Sequence, residues 1–155
     1  MVALIRPTDW NWLLFGHLVA AFALVAGVIV VCLTSLAATR PGRPELATLL
    51  RSIGFRANLI VVIPAFIAIH ILGGILADRE FPGDSNEPGW LGTSFAITTV
   101  VTLVAVALAF FQYWTLRRAR AGSLGGWPGQ VAASVPLLVL ASLVAVIVLM
   151  AGKPS

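Results

Sequence analysis

Apolar residues in this chain do not alternate, and they do not keep to one helical face. They gather into four long blocks at about 12–38, 55–77, 91–116 and 130–150, and nearly all charges fall between the blocks. A block of roughly twenty apolar residues is the length an α-helix needs to cross the ~30 Å hydrocarbon layer of a bilayer. Inside that layer the backbone must bond to itself, so each block is predicted to be a membrane-spanning helix. Short connections make consecutive spans antiparallel neighbours. The expected fold is all-α: a transmembrane four-helix up-and-down bundle forming a single integral membrane domain over residues 1–155.

Local signals refine this outline. The first block is longer than the ~7–15 residues of a signal-peptide core and lacks a basic cluster in front, so it is read as a retained anchor. Trp10 and Trp12 suit the lipid–water boundary. After Arg40, Pro41, Gly42 and Arg43, Pro44 can open a short helix. There Leu46, Leu49, Leu50 and Ile53 recur at helical spacing with Arg51 on the polar side, which predicts a piece lying on the membrane surface. Pro64 removes a hydrogen bond to the Ile60 carbonyl and should kink the second span. In the third, Ser94, Thr98, Thr102, Ala105, Ala109 and Gln112 fall close to one face, a helix–helix contact surface before a pore lining. The loop DREFPGDSNEPGW, rich in turn formers, is expected to face solvent.

Composition agrees: 59% of the 155 residues are hydrophobic and 10% charged, against about 25% charged in a soluble domain. A formal charge of +4 would ordinarily raise nucleic acid as a partner. Here the basic residues sit in short loops between apolar blocks, so the reading is no nucleic acid and a lipid bilayer instead. Arg40, Arg43, Arg51 and Arg56 mark the first connection, and Arg117, Arg118 and Arg120 the third, while the middle one is acidic. By the positive-inside rule both termini lie outside, in a multi-pass protein of a bacterial cytoplasmic membrane. Cys32, the lone cysteine, lies mid-span and reads as a small buried hydrophobe.

Candidate chemistry centres on His17 and His70, the only histidines, each within an apolar block. An ionisable side chain in a span costs a few kcal/mol on insertion scales, which makes it a functional candidate. His17 follows Asp9 by eight residues and His70 precedes Asp78 by eight. Both therefore lie ~12 Å along a helix from the nearest charge at the same end. The two imidazoles are expected at matching depth between spans 1 and 2, an arrangement suited to haem b held by two axial nitrogens. Gly16, Gly73 and Gly74 would leave room for the macrocycle. Phe66 and Ile67 would wall it, and Arg79 or Arg6, with Trp10 and Trp90, would meet propionates. Another metal such as copper is a further possibility for His17 and His70. The competing class is a cofactor-free accessory or structural subunit of a larger respiratory complex, using its small-residue stripes against other membrane subunits or another copy. No span holds an acid for a proton or sodium relay. No P-loop, HExxH, GxSxG or dinucleotide fingerprint is present, so any enzymatic role would be redox or electron transfer.

The patterns GHLVAAFALVAG, IPAFIAIHILGG, an acidic loop ending GWL, and RRAR resemble uncharacterised four-helix bacterial integral membrane proteins. These are distantly similar to the membrane domain of copper-resistance D-type proteins. The Ala- and Arg-rich usage also looks actinobacterial. In such proteins a first-span histidine is common, and the resemblance places His17 there. Their periplasmic copper-binding partner domain has no counterpart in this sequence, which argues against copper transport.

Overall fold

The computed structural model describes residues 8–40, 42–83, 88–122 and 127–151. Arg6, residues 84–87 of the acidic loop and Lys153 lie outside them. The described residues fold as α1 (Thr8–Ala37), α2 (Pro44–Ala57), a π-helical turn (Asn58–Val62), α3 (Ile63–Glu80), α4 (Gly89–Arg120) and α5 (Trp127–Ala151). Four helical runs are long and apolar enough to cross a membrane: Trp10–Ala37, Pro44–Glu80, Gly89–Arg120 and Trp127–Val148. The chain is a small tetraspan membrane protein. Gly42, Gly83 and Gly122, one in each connection, have φ of 106°, 93° and 81°, the left-handed region that glycine enters without steric cost.

α1 packs against α2, α3 and α5, and α4 packs against the same three elements, so α1 and α4 stand diagonally across the bundle. The core draws on every run: Leu24, Val28 and Val31 from α1, Val62 and Phe66 around the π turn, Val101, Ala105 and Leu108 from α4, and Val139 and Leu143 from α5. Large apolar side chains elsewhere point outward, with Phe22 76% and Phe110 72% exposed. Outward-facing rings are what lipid selects, because burying them against another helix gains little over burying them in acyl chains. Close packing relies on small residues instead. A methyl added to Gly54 would come within 2.7 Å of the Thr34 hydroxyl, and one on Gly27 within 2.9 Å of Val62.

The stripe on α4 is the contact surface its sequence implied: Ser94, Thr98, Ala105, Ala109 and Gln112 are buried. The hydroxyls satisfy themselves, Ser94 donating to the Trp90 carbonyl at 2.8 Å, Thr98 to Ser94 at 2.5 Å and Thr102 to Thr98 at 2.7 Å. Such back-bonding lets a polar side chain sit in a helix interface without an external partner.

The segment from Pro44 departs from the expected surface helix. It runs without a break into the second span, giving 37 helical residues, or ~55 Å, more than the ~40–45 Å of a whole bilayer. Its amphipathicity is also inverted. Leu46, Leu49 and Ile53 face outward, while Arg51 is half-buried on the inward side with Ala47 and Gly54. In water leucines turn inward, but beside lipid the outward position is the apolar one, so the same spacing gives the opposite orientation.

Pro64 follows a local departure from α geometry. The turn ahead of it widens to π geometry, with the Ile63 amide donating to the Asn58 carbonyl five residues back. A π turn adds one residue to the winding and commonly accompanies a proline-disturbed ladder.

Candidate functional site

His17 and His70 line one cavity of about 290 Å³ at the end of the bundle where α1 and α4 begin and α3 ends. α1 contributes Leu14 and His17, one turn apart. α3 contributes His70 and Gly73, and beyond them Ala77 and Glu80. α4 contributes Trp90, Ser94, Phe95 and Thr98. The depth match inferred from Asp9 and Asp78 thus corresponds to a shared wall.

The two imidazoles have different surroundings. His70 Nδ1 lies 3.0 Å from the Phe66 carbonyl oxygen. A carbonyl only accepts, so Nδ1 carries the proton and donates. In a neutral ring Nε2 then presents its lone pair, and the Thr99 hydroxyl lies 3.1 Å from it. The same hydroxyl lies 2.8 Å from the Phe95 carbonyl, so its single proton serves either Phe95 or His70. Phe95 also meets the His70 ring edge-on, with centroids 6.1 Å apart. A histidine pinned through Nδ1 to a backbone carbonyl is held in the tautomer that metal-ligating histidines use.

His17 is held by shape rather than by hydrogen bonds. Its ring lies over Gly73, where an added Cβ would stand 3.3 Å from Cε1 and 3.6 Å from Nδ1. Nδ1 is buried and has no hydrogen-bond partner among the described residues. Leaving a buried polar atom unpaired costs about 1–3 kcal/mol. This is the one such atom among the described residues, and it borders the cavity.

The other sequence candidates distribute unevenly. Gly73 is at the site, but the space it leaves is filled by His17. Gly16 packs on Leu72, and Gly74 has open space around it. The Phe66 side chain is fully buried in the core and reaches the site only through its carbonyl, while Ile67 faces outward at 51% exposure. Arg79 is exposed and does not line the cavity, whereas Trp90 does. No group of three or more His, Cys, Asp or Glu side chains among the described residues could hold a metal ion.

Sequence reasoning passed over Asn58. It lies on the π turn, 1% exposed, and its side-chain amide donates to the Ala105 carbonyl at 3.1 Å and to Gln112 Oε1 at 3.0 Å. Both amide protons are thereby used, tying the π turn to α4. An asparagine three residues inside an apolar block was the available signal.

No family model, curated protein or solved structure matches this chain.

Proposed function

We propose that the two-histidine cavity is the functional centre of this tetraspan protein, that it takes a haem between His17 and His70, and that the chain is a b-type electron-transfer subunit. One observation carries the reading: both imidazoles border the same cavity. The donor count favours haem over a bare ion, since a macrocycle asks the protein for two axial nitrogens, whereas copper or zinc sites draw three or four protein ligands. His70 is already in the ligating tautomer, and Thr99 can hand its proton back to Phe95 to free Nε2. His17 has an unpaired Nδ1 and packs on a glycine, which sets little resistance to re-orienting the ring. A bound haem would supply a one-electron iron couple, and Leu14, Ile69 and Phe95 would keep its surroundings apolar. At about 290 Å³ the cavity is smaller than the ~300–1,000 Å³ usual for ligand sites, so loading requires α1 and α3 to part as well as the His17 ring to leave Gly73. The orientation that goes with this reading puts the arginine-bearing end in the cytoplasm of a bacterial cell and the histidines in the outer half of the membrane.

A second reading has its own support. Each ring nitrogen of His70 already has a partner within the chain, as expected of an accessory subunit without a cofactor that packs against other membrane subunits or a second copy. Visible absorption of detergent-purified protein separates the two. A Soret band that shifts on dithionite reduction and is lost in both His17→Ala and His70→Ala bears out the haem site. Colourless protein, from cells supplied with haem precursor and after haem addition, rejects it in favour of the accessory subunit.

A further inference from the structure

The opposite end of the bundle holds a larger cavity, about 680 Å³, between the end of α1, the start of α2 and the start of α5. Arg40, Arg43 and Arg51 line it, and no carboxylate among the described residues does; Glu45, nearest in sequence, is exposed and outside the lining. None of the three guanidinium groups has a hydrogen-bond or ion-pair partner among the described residues. The last carbonyls of α1 do not need them, because the Ala38, Thr39 and Arg40 amides already bond to Thr34, Leu36 and Ala37. Arg51 is turned inward and half-buried, its Nη2 3.5 Å from where a Cβ on Gly129 would stand. Like charges gathered around a cavity repel one another unless an anion joins them, and arginine is the side chain best shaped to grip phosphate. Gly129, in the first turn of α5, adds a backbone N–H that lacks an acceptor within the helix.

We infer that this cavity binds a phosphate-bearing anion through Arg40, Arg43 and Arg51, and that the anion is the headgroup of an acidic phospholipid. The source follows from the walls. Below the arginines the cavity is bounded by Leu36 and Leu137, each about two-fifths exposed on the outer surface of the bundle. An acyl chain can leave along that side while the phosphate stays among the guanidiniums, whereas a soluble phosphate would gain nothing from an apolar exit. Basic pockets between membrane helices suit acidic headgroups in this way.

The test is native mass spectrometry of the full chain released from nanodiscs of phosphatidylcholine with 20% phosphatidylglycerol or cardiolipin. The expected result is retention of one acidic lipid per chain in preference to phosphatidylcholine. Retention should fall about tenfold in Arg51→Gln and again in Arg43→Gln, the worth of one charge-assisted contact each. Arg117→Gln, on the same side of the bundle but away from the cavity, should leave it unchanged. Equal retention of phosphatidylcholine, or equal losses in Arg117→Gln and the cavity variants, overturns the site. Displacement by millimolar inorganic phosphate or glycerol phosphate overturns the lipid assignment in favour of a soluble phosphate. If Arg51→Gln does not fold, Arg43→Gln, an exposed side chain at the start of α2, carries the test alone.

Discussion

The two ends of this bundle manage buried polarity in opposite ways. At the histidine end one imidazole is tied at both nitrogens and the other is packed against a glycine with a nitrogen left unpaired. At the arginine end three cations share a cavity more than twice as large, without a carboxylate among them. Between them, Asn58 and Gln112 close a fully buried amide pair. A satisfied pair fixes how helices pack, and an unsatisfied group at a cavity marks where something else can enter. The middle of the bundle is therefore built for structure, and its ends hold the open positions.

Three substitutions sharpen that contrast, taken from the largest effect down. Gly73→Val should be the most damaging, because branched carbon would occupy the space of the His17 ring. A loss of about 2–3 kcal/mol is expected from overpacking, read as a fall in the thermal midpoint in detergent, while acidic-lipid retention at the far end is kept. If that variant melts like the parent, His17 does not rest on Gly73. Asn58→Ala comes next, leaving Gln112 Oε1 without its donor. The cost should be about 1–2 kcal/mol, and because Asn58 joins the two ends, Gln112→Ala in the same background should add little in a double-mutant cycle. Additive losses would mean that the two amides are independent. Thr99→Val should be the mildest, under about 1 kcal/mol. It frees His70 Nε2, so on the haem reading it holds or raises the Soret absorbance per chain. A lost Soret band would instead make Thr99 part of the site.

Most of the architecture could be read from the sequence because lipid imposes a length on apolar blocks that water does not. The four spans, the small-residue stripe on α4 and the disturbance at Pro64 all followed from that constraint. The shared cavity of His17 and His70 followed from counting residues to the charges at one end. Which way each glycine faces did not. Gly16, Gly73 and Gly74 look equivalent along the chain, yet they meet Leu72, the His17 ring and open space. The facing of α2 was missed for a related reason. Helical spacing shows that leucines and Arg51 lie on different sides, but which side turns outward depends on the solvent around the helix.

The π turn decides more than a local bend. Ala47, Arg51, Gly54 and Asn58 reappear nineteen residues later as Phe66, His70, Gly73 and Ala77, the same inward row written twice. Eighteen residues complete five α-helical turns, so in an unbroken α-helix the second row would point ~100° away from the first. The surplus residue wound into Asn58–Val62 brings the rows into line. Were Asn58–Val62 wound as α-helix with every residue kept, the arginines would stay seated and His70 and Gly73 would swing off the cavity, so one supernumerary peptide unit, absorbed by the wider turn, sets the phase between the protein's two ends.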